Sequence, residues 1–328
     1  MQKRYFLLIS LLILILVWVF GPKAHFDSVE TELPSIDLSI GELKTWLAET
    51  LPEGIRPDNQ SKLYLQNDSA KTDYALLYLH GFSASPKEGD PVHIEFARRY
   101  GMNCYAPLLT GHGYDDVESF VDITPAALMK SAAEALKIAS LIGERVIIMS
   151  TSTGSTLAVP LAVDHPELVA ALLNFSPNFE LADSKSKILT GPWGLSLARA
   201  FSGGKYREWY APDSVELYWT NRYRLEGAVA VRALLDELMT DKQFQAFSQP
   251  VFTAYWYKND TLCDQTISIP RIKEFDALVA TRSGQKTTKA YSDVAAHCMI
   301  SGLWSEDIKT VQKDIYAFVE HALDIQPK

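Results

Sequence analysis

The chain has 328 residues, of which 47% are hydrophobic and 22% charged, and this composition is typical of a globular protein rather than a disordered one. Its length is sufficient for one large domain with a substantial core, or for two modest ones. The formal net charge of −9 at pH 7 opposes binding to nucleic acid or to anionic lipid headgroups through charge, so we expect no nucleic-acid partner.

The first 24 residues differ from the rest of the chain. Two cations, Lys3 and Arg4, precede the apolar run Tyr5–Phe20. This pattern predicts an N-terminal transmembrane helix that acts as a membrane anchor, with a cleaved signal peptide as the alternative. Because Lys3 and Arg4 outweigh the single Lys23 on the other side, the N-terminus is expected in the cytoplasm.

The rest of the chain is then expected outside the cytoplasm under either interpretation. Asn-x-Ser/Thr sites occur at Asn174 and Asn259, at the ends of strands predicted below, where a glycan could not be accommodated. This favours a bacterial inner-membrane protein whose body faces the periplasm.

Residues 25–60 are acidic and contain several prolines, and they predict a linker with one short helix around Ile40–Thr50. From residue 61 to 328, short apolar runs alternate with helical patterns. We predict strands at Lys62–Gln66, Tyr74–Leu79, Asn103–Ala106, Arg145–Met149, Leu168–Phe175, Val251–Tyr257 and Thr287–Tyr291. The helical patterns lie at His93–Tyr100, Pro125–Ile142, Ser155–Val163 and Ile308–Ala322. Continuous apolar strands separated by helices predict an α/β protein whose mostly parallel sheet has helices on both faces.

Residues 177–250 interrupt this alternation, because they contain no convincing strand. They are rich in aromatic residues, and Leu217–Met239 has a strong helical pattern. A structureless loop of this length is improbable inside a domain. The segment therefore predicts a helical cap inserted before the penultimate strand.

A cluster of hydroxyl residues lies where a predicted strand ends and a helix begins, in "RVIIMSTSTGSTLAV", residues 145–159. Such residues can cap a helix, or one of them can be a nucleophile. The segment resembles the G-x-S-x-G nucleophile elbow of the α/β-hydrolase fold, with Ser152 as the nucleophile. Gly154 occupies the second glycine position, and Ser150 replaces the first.

A second motif, His80-Gly81-Phe82, follows the strand in "YALLYLHGFSASP". The resemblance implies that His80 and Gly81 form a supporting turn. It also implies that the backbone N–H groups of Phe82 and Thr153 form the oxyanion hole. We interpret His112, in the related loop "APLLTGHG", as structural.

The acid and the base of a catalytic triad should follow the last two strands, in the chain order Ser, Asp, His. Asp260 comes just after one strand, and His297 after the next. The stretch Asp260–Asp264 resembles the acid loop of monoglyceride lipases, in which the first Asp is the triad member; Asp264 is the alternative acid. The resemblance covers residues 60–325.

The resemblance implies a serine hydrolase that cleaves carboxylic esters, with a small-molecule acyl ester such as a monoacylglycerol or lysolipid as substrate. The implied reaction requires no cofactor and no metal. A peptidase or amidase of the proline-aminopeptidase-like type is an alternative, and so is a catalytically silent envelope binding protein. The peptidase would need acidic cap residues for a substrate amine, and the candidates are Glu180, Asp183, Glu208 and Asp213. Cys263 and Cys298 could form a disulfide or remain free thiols.

Overall fold

The apolar runs form the strands of one central sheet in the computed structural model, which describes residues 2–66 and 70–328. The strands in these residues are β1 (Lys62–Tyr64), β2 (Thr72–Leu79), β3 (Asn103–Ala106), β4 (Gly143–Thr151), β5 (Val169–Phe175), β6 (Tyr206–Glu208), β7 (Arg222–Arg224), β8 (Val251–Asn259), β9 (Leu262–Cys263) and β10 (Lys286–Tyr291). The α-helices are α1 (Gln2–Val19), α2 (Ile40–Glu49), α3 (Val92–Tyr100), α4 (Pro125–Ile142), α5 (Thr153–Asp164), α6 (Gly194–Phe201), α7 (Asp213–Glu216), α8 (Leu225–Leu238), α9 (Asp241–Ala246), α10 (Ile269–Leu278) and α11 (Ile308–Ala322).

The central sheet has the strand order β1-β3-β2-β4-β5-β8-β10, and β9 pairs with β8. β1 runs antiparallel to β3 and β9 antiparallel to β8, whereas every other pair in this sheet is parallel. The prediction of a mostly parallel sheet is confirmed. Because the carboxyl ends of parallel strands lie at one edge, the loops after β2, β4 and β10 converge there.

The two faces of the sheet are covered by different helices. Along β2, Leu77 and Leu79 belong to a hydrophobic cluster that includes residues of α4, α5 and α8. The alternate residues Leu76 and Tyr78 belong to a second cluster that includes residues of α3 and α11. This alternation follows from the two-residue period of a strand, and it confirms the prediction of helices on both faces.

Residues 177–250 contain a 3₁₀-helix at Ser184–Thr190, four α-helices (α6 to α9) and the short strands β6 and β7. β6 and β7 pair antiparallel with each other, away from the central sheet. Our expectation that this segment lacks strands was wrong on this point. Each strand is only three residues long, which is too short for a period-2 pattern to be detected in the sequence.

The prediction of a transmembrane helix at Tyr5–Phe20 is wrong. Within residues 2–66 and 70–328, none of the helices combines the length and the apolar character needed to cross a bilayer. The helix α1 does form, over Gln2–Val19. The membrane partner and the inner-membrane location expected from this segment are withdrawn with it.

The C-terminal end of α1 contacts the segment at residues 177–250. The indole Nε1–H of Trp193 donates a hydrogen bond to the carbonyl oxygen of Val17 at 3.1 Å. The backbone N–H of Trp193 donates to the carbonyl oxygen of Pro22 at 2.7 Å. Trp193 therefore connects the N-terminal helix to the body of the protein.

Candidate active site

Ser152 lies in the sharp turn between β4 and α5. Its backbone has φ 54° and ψ −117°, a conformation that costs a non-glycine residue on the order of 1–3 kcal/mol. The surrounding backbone holds it there, because the Ser152 N–H donates to Phe175 O at 3.0 Å. The Ser152 carbonyl accepts hydrogen bonds from the N–H groups of Ser155 and Asn178, at 3.0 and 3.1 Å. Ser152 is 7% exposed, so its side chain lies at the base of the site.

The residues two positions before and after Ser152 are each restricted by what surrounds them. A Cβ added at Gly154 would lie 2.1 Å from the carbonyl oxygen of Leu79, so only glycine fits. At the first glycine position the hydroxyl of Ser150 is buried and has partners of its own. Its Oγ lies 2.9 Å from Ser155 Oγ and donates to Asn174 Oδ1 at 3.0 Å. Serine replaces the usual glycine here because the neighbouring strand and helix supply polar partners for its hydroxyl.

The loop after β2 brings backbone N–H groups close to Ser152. A Cβ added at Gly81 would lie 3.2 Å from the Cβ of Ser152, which shows how closely the loop approaches. Within the described part of the chain, neither the N–H of Phe82 nor that of Thr153 has a hydrogen-bond acceptor. Two free donors next to a hydroxyl are the arrangement that an oxyanion hole requires.

His80 orients the peptide group that carries the Phe82 N–H. Its Nε2 accepts a hydrogen bond from the Leu109 N–H at 3.0 Å, so the ring proton is on Nδ1, which donates to the Gly81 carbonyl at 2.8 Å. Burial lowers the pKa of His80 well below its usual value, which keeps the ring neutral. Because the Gly81 carbonyl and the Phe82 N–H belong to one peptide group, this bond fixes the direction of the donor.

His297 follows β10 and is paired with a buried carboxylate. Its Nδ1 lies 2.6 Å from Oδ2 of Asp264, which is 3% exposed. The other carboxylate oxygen of Asp264 accepts the N–H of Thr266 at 2.9 Å. Burial by itself lowers the pKa of His297, but the charge and hydrogen bond of Asp264, with a contribution from Glu88, outweigh burial and raise it. For Asp264, burial raises the pKa, and the attraction of His297 outweighs it, so the pKa is lowered.

The structure does not bring Asp260 to His297, and it pairs His297 with the alternative acid, Asp264. Asp260 is exposed, and its Oδ1 accepts a hydrogen bond from the Tyr257 hydroxyl at 2.6 Å. The reason is the hairpin between β8 and β9. Asp260 lies at the tip of this hairpin, whereas the backbone N–H of Asp264, on the returning segment, bonds to Trp256 O at 3.2 Å. The return brings the second aspartate, and not the first, back to the edge of the sheet.

Glu88 is a site residue that sequence reasoning missed. It lies in a 3₁₀-helix at Pro86–Gly89 and is 2% exposed. Its Oε2 accepts a hydrogen bond from the Gly81 N–H at 2.7 Å, and its Oε1 contacts Sγ of Cys298 at 3.5 Å. Burial raises the pKa of Glu88 to about 6, against the lowering effect of its hydrogen bonds and of His297. In the sequence this glutamate resembles any other in a surface turn, and no motif distinguishes it.

An aromatic cluster lies beside the Phe82 donor. The ring of Phe82 is 4.5 Å from that of Phe120 and 5.3 Å from that of Tyr223, measured between centroids. The ring of His112 packs 4.7 Å from Phe120, and burial lowers the pKa of His112 to about 4. A Cβ added at Gly227 of α8 would lie 2.9 Å from the Phe82 ring, so α8 packs directly on this cluster.

Three of the four acidic residues considered for a substrate amine have local partners, whereas Asp213 is exposed. Glu180 forms ion pairs with Arg232 and, at 3.5 Å, with Lys187. Glu208 pairs with Arg222 at 3.7 Å, and the Asp183 side chain caps the 3₁₀-helix that follows it.

Cys104, Cys263 and Cys298 are free thiols. Among the residues that the structure describes, no group of three or more His, Cys, Asp or Glu could hold a metal ion.

Comparison with known proteins identifies the fold. No protein-family model matches the sequence, and no curated protein matches it. The structure is similar to one reported for LipS and LipT, two metagenome-derived lipolytic enzymes, with a TM-score of 0.63 at 13% identity over 81% of this chain and 99% of that chain. It is also similar to a soluble variant of monoglyceride lipase from Saccharomyces cerevisiae (TM-score 0.55, 14% identity, 84% and 96% covered). A putative non-heme bromoperoxidase, BpoC from Mycobacterium tuberculosis, resembles it as well (TM-score 0.56, 13% identity, 83% and 98% covered). The chain has the α/β-hydrolase fold, as the sequence motifs predicted.

Proposed function

We propose that this protein is a serine hydrolase that cleaves carboxylic esters, with Ser152 as nucleophile, His297 as base and Asp264 as the acid that orients it. The observation that carries the proposal is the strained Ser152 next to two unpaired N–H donors, at the sheet edge where the His297–Asp264 pair also lies. The similarity to lipolytic enzymes adds support, since it supplies a fold on which this chemistry is known.

In the proposed mechanism, Ser152 Oγ attacks the ester carbonyl carbon while His297 Nε2 takes its proton. Asp264 holds the proton on Nδ1 and stabilises the imidazolium. The N–H groups of Phe82 and Thr153 bind the oxyanion, and the loss of one such donor typically costs about 3 kcal/mol. The imidazolium then protonates the leaving alkoxide, and water releases the acyl group from Ser152 by the same steps.

We further propose that the substrate is a lipophilic acyl ester. In the aromatic cluster, the partly exposed rings of Phe82 and Tyr223 give the acyl chain an apolar surface next to the oxyanion donor, and the buried Phe120 packs against both of them. Phe201 and Tyr210, in the segment at residues 177–250, are 85% and 88% exposed, an arrangement suited to contact with an apolar substrate phase. The partners of Glu180, Asp183 and Glu208 weigh against the peptidase alternative, because a cluster that binds a substrate amine needs unpaired carboxylates and Asp213 is left as a single exposed one.

Labelling with a fluorophosphonate probe tests the proposal. We expect the wild-type protein to be labelled and Ser152→Ala to be unlabelled. Ser140→Ala is the matched control, because this hydroxyl lies on α4, outside the site, and donates to Lys137 O at 2.6 Å; it should be labelled like the wild type. Absence of labelling in the wild type would refute the hydrolase and favour a binding protein.

Nitrophenyl esters of different chain length then test the substrate class. We expect decanoate to be hydrolysed with a higher kcat/KM than acetate, because a longer chain buries more apolar surface against the aromatic cluster. A strong preference for acetate would refute the lipophilic substrate. Faster cleavage of aminoacyl naphthylamides than of either ester would instead support the peptidase.

A further inference from the structure

A buried carboxyl group that the proposed mechanism does not use lies beneath the loop of His80 to Phe82, here called the oxyanion loop. Two donors meet at Glu88 Oε2: the Gly81 N–H at 2.7 Å and the Tyr78 hydroxyl at 2.9 Å. The Cys298 thiol donates to Oε1 at 3.5 Å. Three donors therefore converge on this buried carboxyl group. They favour its ionised form, because a carboxylate only accepts hydrogen bonds.

The two side chains that donate to Glu88, the Tyr78 hydroxyl and the Cys298 thiol, remain neutral near neutral pH. Burial raises the pKa of the Tyr78 hydroxyl and of the Cys298 thiol well above their usual values, and Glu88 itself adds to both shifts. Behind Tyr78, the ring of His93 on α3 stacks on the phenol at 4.9 Å between centroids. On the segment of Glu88 itself, Lys87 forms an ion pair with Asp90 at 2.8 Å. His297 is therefore the cation that can respond to the charge of Glu88.

Glu88 lies between the oxyanion loop and the segment that carries His297. Through the Gly81 N–H it holds the residue that immediately precedes the Phe82 donor, while His80 holds the Gly81 carbonyl on the other side. On its other side, Glu88 Oε1 accepts a hydrogen bond from the thiol of Cys298, the residue that follows His297, which places the negative charge near the imidazole. This charge adds to the larger effect of Asp264 in raising the pKa of His297. One side chain thus acts on the geometry of the oxyanion hole and on the charge of the base.

We propose that Glu88 is a positioning residue of this active site: it anchors the oxyanion loop through Gly81, and it supplies a second negative charge beside the imidazolium of His297. The proposal rests on the proposed hydrolase function. During acyl transfer, the proton leaves Ser152 for His297, and the resulting imidazolium has Asp264 as a hydrogen-bonded partner and Glu88 as a second counter-charge. Glu88 itself exchanges no proton with the substrate.

Two substitutions separate the two roles. Glu88→Gln keeps a carbonyl oxygen for the donors of Gly81 and Tyr78 but removes the charge. The pKa of His297 then falls, so the acid limb of kcat/KM moves to lower pH, while kcat on the alkaline plateau stays within about tenfold of the wild type. Glu88→Ala also removes the anchor, and kcat should fall by about 10²-fold with little change in KM, because the Phe82 donor is displaced.

Glu134→Gln is the matched control. Glu134 is a half-buried carboxyl on α4, and burial raises its pKa too, but it lies outside the site. We expect its pH profile and kcat to match the wild type. A Glu88→Gln enzyme whose acid limb stays at the wild-type position would overturn the charge role. A Glu88→Ala enzyme with a kcat within about threefold of the wild type would overturn the anchoring role. If Glu88→Ala does not fold, Glu88→Gln still decides the charge role.

A readout that does not depend on activity separates this inference from the proposed function. Histidine labelled with ¹⁵N allows the titration of His297 to be followed by NMR in the wild type, Glu88→Gln and Glu134→Gln. The expected result is a lower titration midpoint for His297 in Glu88→Gln alone. If fluorophosphonate fails to label the wild type, the hydrolase function is refuted. The NMR titration still tests whether Glu88 supplies charge to His297, and an unchanged midpoint overturns that role.

Discussion

The exchange of Asp264 for asparagine tests the pairing that the structure makes with His297. The carboxylate is 3% exposed, and it lies 2.6 Å from Nδ1. In Asp264→Asn the amide oxygen can still accept the Thr266 N–H, which places the NH₂ group against Nδ1 of His297. The ring must then carry its proton on Nε2, where it can no longer accept the proton of Ser152. Such a change of tautomer lowers kcat by about 10⁴-fold, which corresponds to about 5 kcal/mol of transition-state stabilisation.

Hydrolysis of a nitrophenyl ester by the purified variants measures this loss, with circular dichroism and thermal unfolding as checks of folding. Asp260→Asn is the matched control from the same hairpin. Asp260 is exposed and bonds to the Tyr257 hydroxyl, so its kcat should stay within about threefold of the wild type. An inactive Asp260→Asn together with an active Asp264→Asn would refute the assignment of the acid.

Three further predictions concern the elbow and the base. Ser150→Ala removes the hydroxyl partner of Ser155 and Asn174, and it should lower the free energy of unfolding by about 1–3 kcal/mol, measured by denaturant titration; an unchanged midpoint would show that these bonds contribute nothing. Gly154→Ala brings a Cβ to 2.1 Å from Leu79 O and should lower the free energy of unfolding by about 3 kcal/mol or more. A variant as stable as the wild type would contradict this close approach. In the wild type, kcat/KM should fall as the pH drops through the pKa of His297. This pKa lies above the usual 6.5, because the pairing with Asp264 outweighs burial. An acid limb below 6.5 would contradict this prediction.

The sheet could be predicted closely from the sequence, because its strands are continuous apolar runs. Asn103–Ala106 has the predicted bounds, and so do the helices Pro125–Ile142 and Ile308–Ala322. The α/β-hydrolase fold followed from short motifs whose residues are required locally. Gly154 is one example, because the backbone of Leu79 leaves no space for a side chain there.

The N-terminal segment shows where composition misleads. The apolar run at Tyr5–Phe20 forms a helix, as its residues favour, but no helix in the part of the chain that the structure describes is long and apolar enough to span a bilayer. Helix formation is a local property. Spanning depends on total length and on the environment of the helix, which the residue pattern alone left open between an anchor and a signal peptide.

The sequence by itself determined which residue types stand at the ends of the strands, and so it limited the acid to Asp260 or Asp264. Only the tertiary structure shows which of the two is paired with His297, because the return of the chain through β9 sets which carboxylate reaches the imidazole. Glu88 was also beyond sequence reasoning. Its burial and its three donors come from segments distant along the chain, and a contact between distant segments leaves no periodic pattern in the sequence of either one.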